Sequence, residues 1–416
     1  MTVAHGGAAA ARGYAPLFIL AGSHGSLHWA VATFYFMLPF IKEAFELSYT
    51  QTGFFATIIH ASSFIANIPS GVIVDVTGRR RACQIVSLAL AAVGMVGIGW
   101  ASQYWLIACF VAVVAMMNTL WHPAAISFLS ASYADRRGLA LSFHTVGASL
   151  GDAAAPLCAG VLVTMLGWPG ATMTSAVVPF VAAVLLFCVP ARMGVGDDVR
   201  KPGGGVRNYL SGLWELVGRI EIWKICLMSG FRGTAQTGLR TFLPLFFFAA
   251  FTEDPLWMGV LLTVLQASGA VATPFAGAIS DRIGRKPVLL IGFLGSAAVM
   301  LALPWIGSLW ALMAVVGIGG VFVFAVRPVI QSWALDLTPP QLSGSMVSLQ
   351  FGTQSAFAMA VPVGGGLIAD IWGIEFVFYA LAGAIVIAIA IAGSISEADG
   401  RPDSHDSAHR LGIGNK

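Results

Sequence analysis

Nine ionisable side chains interrupt sequence that is otherwise apolar: His24, His28, His60, His122, His144, Asp152, Arg232, Arg240 and Arg327. Within a bilayer each such group is costly, so each is a functional candidate by default. His24 and His28 are one helical turn apart, with Tyr35 seven residues further on and nearly on the same face. Arg232, Gln236 and Arg240 form a stripe at steps of four, and His122 follows Asn118 by the same step. Three guanidinium charges against one deep carboxylate leave a positive surplus, which is expensive where water is excluded. The expected visitor is therefore an anion bearing a carboxylate, phosphonate or similar group, bound by Arg232 and Arg327. His24, His28, Tyr35, His60, His122, Gln236 and Gln266 complete the expected substrate-binding set. Asp152 and His144 can exchange a proton, imidazole near neutral pH, and are the candidates for proton coupling. At about 1.5 Å per residue, Arg232 lies roughly 15 Å into its helix, close to the midplane. Arg240 lies further out and is the arginine best placed to snorkel.

The elements that must carry these residues are membrane helices. The hydrophobic fraction is 57% and the charged fraction 10%, against about 25% charged in a soluble domain. A crossing needs about 20 apolar residues, and twelve can be placed. The first six run near Tyr14–Phe40, Gln51–Val74, Ala82–Ala101, Trp105–Ser130, Leu139–Leu166 and Ala171–Val189. The second six run near Trp223–Phe248, Trp257–Ile279, Val288–Trp305, Leu309–Leu335, Ser343–Ile371 and Phe376–Ser394. The expected organisation is a six-helix bundle over 1–190, a cytoplasmic loop over 191–221, a second bundle over 222–396 and a polar tail over 397–416. Val206–Gly218 is an expected amphipathic helix on the inner surface. The first span is expected to remain uncleaved, being too long for a signal-peptide core.

Of the 22 Lys and Arg, only Lys42 falls in an expected outer loop and three, Arg232, Arg240 and Arg327, lie deep in spans, the rest being on or bordering the cytoplasmic side. That asymmetry places both termini in the cytoplasm, and short loops without an N-x-S/T sequon suit a bacterial inner membrane. The five cysteines lie in or at the ends of apolar runs without a CxxC and read as packing residues. The histidines are spread over four spans, so no metal site and no cofactor are expected. No basic block interleaved with aromatics supports nucleic-acid binding.

The chain repeats itself. Gly71-Val-Ile-Val-Asp75-Val-Thr-Gly78-Arg79-Arg80-Arg81 returns as Gly277-Ala-Ile-Ser-Asp281-Arg282-Ile-Gly284-Arg285-Lys286, displaced by 206 residues. Each copy reads as a tight turn between two membrane helices. Glycine permits the reversal, cations hold the turn inside, and the aspartate could accept hydrogen bonds from a helix N-terminus. At the same offset Gly53, Ser62, Gly138, Pro156, Gly160 and Gly167 match Gly259, Ser268, Gly344, Pro362, Gly366 and Gly373. Six spans repeated in parallel place a substrate path between the halves. The expected fold is an all-α integral membrane protein with 12 transmembrane helices, two six-helix bundles related by a pseudo-two-fold axis.

Gly71–Arg81 and Gly277–Lys286 resemble the loop signature between helices 2 and 3, and 8 and 9, of the major facilitator superfamily. The resemblance covers essentially the whole chain through span count, repeat offset and loop placement. It implies alternating access, with the loop residues Gly71, Asp75, Gly78, Arg79, Arg80, Gly277, Asp281, Gly284, Arg285 and Lys286 gating the cytoplasmic side. Gly147-xxx-Gly151-xxx-Ala155-Pro156-xx-Ala159-Gly160 resembles the family's antiporter motif with alanine at two glycine positions. Small residues at that spacing allow close helix packing, and the motif accompanies exporters. Trp121-His122-Pro123 with Phe143-His144-Thr-Val-Gly147 resembles fosmidomycin-resistance-type exporters. The usual span-4 arginine of proton antiporters is missing, since no Arg or Lys occurs between Arg81 and Arg136.

The resulting expectation is a proton-coupled exporter of a small, anionic organic compound, functional as a monomer in the lipid bilayer, with protons and the small molecule as partners. An uptake symporter of an organic anion is the alternative. A membrane enzyme has no GxSxG, HExxH or P-loop in its favour. A sensor retaining a transporter fold has no soluble signalling domain.

Overall fold

The computed structural model describes residues 14–133, 136–189, 216–339 and 342–395. Residues 206–215 of the expected amphipathic segment, most of the central loop and the tail from Glu397 lie outside them. Regular structure among the described residues is helical: α1 (Ala15–Ala44), α2 (Tyr49–Thr77), α3 (Arg80–Trp100), α4 (Tyr104–Ser132), α5 (Arg137–Ser175), α6 (Val177–Cys188), α7 (Ile220–Ala250), α8 (Pro255–Ile283), α9 (Arg285–Ala302), α10 (Leu309–Asp336), α11 (Ser343–Trp372) and α12 (Glu375–Ser394). Among the described residues nine stretches are long and apolar enough to cross a membrane, one of them running through α5 and α6 as Arg137–Cys188. The helices outside that set, α1 and α7, carry much of the polar chemistry, with His24, His28, Lys42 and Glu43 on one and Lys224, Arg232, Gln236 and Arg240 on the other. Large apolar side chains such as Met165, Phe187, Trp305 and Trp310 are exposed, as expected of a surface solvated by lipid.

Four glycines with positive φ mark the reversals and carry the repeat into the backbone. Gly78 (φ 65°) closes α2 and Gly284 (φ 97°) precedes α9, while Gly167 (φ 66°) breaks α5 and Gly373 (φ 104°) follows α11. Both pairs are 206 residues apart. A side chain at such a φ is strained, so the sequence spacing and the backbone report one duplication.

The chain divides into two compact units. One comprises Met1–Pro202 with Arg240–Ala267 and Pro362–Ile374; the other comprises Gly203–Leu239, Ser268–Val361 and Glu375–Lys416. In the first, Leu17, Leu20, Leu27, Leu88, Trp121 and Phe128 form a buried core among α1, α3 and α4. Glycines bring α1 onto α5 without intervening side chains: a Cβ on Gly25 would stand 2.6 Å from the Gly147 carbonyl oxygen, and those on Gly147 and Gly151 would collide with the Ala21 and Gly25 backbones. The same α5 motif also packs on α8. A Cβ on Gly259 would lie 2.6 Å from the Pro156 carbonyl, and one on Gly160 would lie 2.5 Å from that of Pro255. Their repeat counterparts behave alike, Gly53 against Pro362 and Gly366 against Tyr49 and Thr50.

In the second unit, Gly292 and Gly295 of α9 sit against Val326 and Phe322 of α10. Lys286 donates to the carbonyls of Gly393 and Ile395 at 2.9 Å, at the end of α12. In the first unit Arg81 donates to Phe187 and Val189, the residues 206 positions earlier, at 2.7 and 2.6 Å. These loop cations therefore satisfy terminal carbonyls where a helix dipole favours positive charge.

Candidate functional site

The close α1–α5 approach sets the site. With no Cβ at Gly25, Gly147 or Gly151, the Nδ1–H of His24 reaches the backbone carbonyl of His144 and donates to it at 2.7 Å. The His24 and His144 rings stack, centroids 3.7 Å apart and planes within 5°. His28, one turn along α1, meets His24 edge to face at 4.7 Å. From α4, His122 meets His24 at 5.1 Å and His144 at 6.0 Å. The expectation that the histidines are spread rather than clustered is thus overturned. Four of them converge from three helices, because small residues let α1 and α5 abut and α4 packs against the same core.

His28 continues the chain of contacts outward. Its Nδ1 lies 3.2 Å from Asp152 Oδ2, and Arg240 Nη2 donates to the same oxygen at 2.8 Å. Arg240 therefore does not simply snorkel; it neutralises Asp152, whose carboxylate side chain is only 12% exposed. Asp152 Oδ1 is buried without a hydrogen-bond partner among the described atoms. Tyr35, Asp152, Arg240 and Gln266 line a cavity of about 30 Å³. That volume admits a water molecule or two and is far below the several hundred Å³ of an organic-ligand pocket. The hydroxyl of Tyr35 lies 3.3 Å from His60 Nε2, which joins His60 to the cavity's edge.

The remaining expected substrate residues lie in the second unit. Arg232 is 2% exposed and donates to the Val323 carbonyl at 3.1 Å. Arg327 is exposed and Gln236 half-buried. Ser229 accepts hydrogen bonds from the amides of Gln350 and Gln354, giving α7 and α11 a polar seam. Sequence reading placed Arg240 in the arginine stripe but not its carboxylate partner; an i, i+8 spacing says which face a residue shares and nothing of what faces it. One of the two loop aspartates has a described partner. Asp281 pairs with Arg285, which in turn donates to Ser280 and to Asp336 at the end of α10. A carboxylate at a helix N-terminus does occur, elsewhere: Asp370 accepts from the N–H groups of Tyr49 and Thr50 at 2.8 and 2.9 Å.

A duplicated, polytopic helical membrane protein with a buried ion pair and a histidine cluster inside one compact unit is the kind of scaffold that moves solutes rather than transforms them. The chain matches the model of the Major Facilitator Superfamily over residues 20–251 and 225–411, and it belongs to that family of membrane transporters. It is 24% identical over 359 residues to an uncharacterized MFS-type transporter, YfnC, of Bacillus subtilis (strain 168), covering 83% of this chain and 84% of the relative. It is 31% identical over 178 residues to the multidrug resistance protein MdtG of Proteus mirabilis (strain HI4320), covering only 41% of this chain and 42% of that protein. Among solved structures, a bacterial homolog of the human lysosomal transporter Spinster, inward-facing and occupied, superposes with a TM-score of 0.79 at 16% identity, covering 94% of this chain and 98% of that one. The nucleoside transporter NupG gives 0.76 at 12% identity, covering 91% and 99%.

Proposed function

We propose that the protein is a proton-coupled exporter of a small organic anion, working by alternating access as a monomer of twelve spans in two six-helix halves. The observation that carries the coupling is the shared oxygen of Asp152, held by Arg240 on one side and His28 on the other inside a water-sized cavity. Arg240 is a fixed charge, so the pair is neutral while Asp152 is ionised. A proton delivered to Asp152 cancels the carboxylate and releases the guanidinium from its counter-charge, a change large enough to bias one conformation over another. Tyr35 and Gln266 face the same space and can orient the water that delivers the proton. The anion preference rests on the guanidinium charges of Arg232, buried and donating to the Val323 carbonyl, and of Arg327. Export as the direction is favoured by the α5 small-residue motif and by the likeness to MdtG, a multidrug resistance protein. The charge asymmetry of the loops supports a bacterial inner membrane with both termini cytoplasmic.

Purified protein in proteoliposomes, given a pH gradient and a panel of organic acids, phosphonates and cationic drugs, tests the reading. Anion flux driven by the gradient, lost in Arg232→Gln and uncoupled from pH in Asp152→Asn, is expected. Flux of cationic or neutral compounds alone would overturn the anion assignment; unchanged pH dependence in Asp152→Asn would remove the coupling residue.

A further inference from the structure

The relay through Asp152 leaves the inner histidines unused, and their arrangement has chemistry of its own. We propose that His24, His122 and His144 form a binding site for a divalent transition-metal ion of the zinc class. One ring nitrogen from each lies within 4.8 Å of the others. His24 and His144 are 4% and 6% exposed, yet His24 Nε2 and both ring nitrogens of His144 have no hydrogen-bond partner among the described atoms. Buried polar atoms are nearly always satisfied, and leaving several of them orphaned in one cluster is costly. The set therefore points to a ligand that accepts several imidazole lone pairs at once.

The tautomer at His24 is fixed by the fold. Its Nδ1 must carry the proton, since it donates to the His144 carbonyl, and this leaves the Nε2 lone pair free. That is how metal-ligating histidines are oriented elsewhere: one nitrogen donates to a carbonyl or carboxylate, and the other binds the ion. Three neutral imidazoles suit zinc, nickel, copper or cobalt, and not calcium or magnesium, which prefer oxygen. A tetrahedral ion with bonds of about 2.0–2.1 Å separates its ligand nitrogens by about 3.3 Å. Capture therefore draws the three nitrogens together by up to about 1.5 Å relative to their outer limit and tilts the stacked His24 and His144 rings out of parallel. His122 is half-buried where the other two are buried. The fourth position stays open to water or an anionic donor.

The test uses the full chain purified without a polyhistidine tag, stripped with chelator, and titrated with Co²⁺ and Zn²⁺ under equilibrium dialysis. One ion per chain is expected, with a Co²⁺ d–d spectrum of tetrahedral type that Zn²⁺ bleaches and X-ray absorption showing imidazole ligands. His24→Gln and His144→Gln each weaken binding at least about tenfold while remaining monodisperse on size exclusion. Replacing the other histidines distant in sequence, His5, His405 and His409, leaves the stoichiometry at one. The proposal is overturned if the wild-type protein binds no ion, if the ion follows His5, His405 and His409, or if the absorption spectrum shows no imidazole in its shell. Because binding is read on protein at rest, failure here leaves the transport reading intact, and failure of transport leaves this one intact.

Discussion

The ion pair between Asp152 and Arg240 makes the sharpest prediction. At 2.8 Å and an effective dielectric near 20, the attraction is about 6 kcal/mol before desolvation is subtracted. Removing one partner of such a buried pair costs about 3–5 kcal/mol, because the other charge is left behind; Arg240, 26% exposed, places the cost at the lower end. Asp152→Asn and Arg240→Gln should each lower the apparent melting temperature in detergent by roughly 6 °C, taking about 2 °C per kcal/mol for a large domain. The double variant, which removes both charges, should melt within a degree or two of whichever single variant is more stable, or above it. The assay is a melting curve followed by light scattering or tryptophan fluorescence on four proteins forming a double-mutant cycle. Simple additivity, with coupling under about 0.5 kcal/mol, would refute the pair as an energetic unit. The cycle also separates stability from coupling, since the double variant should fold well and still fail to respond to a pH gradient.

Further outcomes follow from the helix contacts. Gly147→Val should prevent α1 from seating on α5, where a Cβ already collides with Ala21, and should abolish monodisperse protein in a size-exclusion assay. Gly259→Val presses on the Pro156 carbonyl; overpacking of about 1–3 kcal/mol should be visible as a lowered melting temperature, and Gly53→Val should match it through Pro362. Asp370→Ala removes three hydrogen bonds from the first turn of α2, and a cap loss of about 0.5–2 kcal/mol should speed amide exchange at Tyr49 and Thr50. Lys286→Gln should loosen the end of α12 by under about 1 kcal/mol, measured as faster exchange near Ile395.

Much of the scaffold was legible because duplication writes itself at a fixed offset. Gly78, Gly167, Gly284 and Gly373 stand in register in the sequence and again as the chain's positive-φ glycines among the described residues. The α5 motif was legible as packing, and it does pack, but on two partners at once, α1 and α8, which no linear pattern announces. The histidine cluster was not legible as a cluster. Spacing fixes the face of one helix, whereas convergence of His24, His122 and His144 depends on the rotation and depth of three helices, set by Gly25, Gly147 and Gly151. The partner of Arg240 was not legible for a related reason: distance along α7 measures depth, and the carboxylate that holds it comes from 88 residues away.

The duplication preserves packing and divides chemistry, and that division is what the functional reading rests on. The contacts Gly53–Pro362 and Gly259–Pro156 are images of each other, as are the helix-end carbonyls held by Arg81 and Lys286. The reactive positions are not. At the 206 offset His24, His28, His144 and Asp152 correspond to Gly230, Thr234, Gln350 and Ala358, and His60 corresponds to Gln266. Gln350 bonds Ser229 within α7 and α11, a neutral seam where the first half places an imidazole. Titratable groups are thus concentrated in one half, and permanent cations in the other, at Arg232, Arg240 and Arg327. A proton needs a group that changes charge, and an anion needs one that does not. If the halves have specialised in this way, moving an imidazole to the second half by Gln350→His should not transfer pH dependence, whereas Asp152→Asn should remove it. A Gln350→His protein that restored pH-driven flux to the Asp152→Asn background would show that charge placement, and not this division of labour, governs coupling.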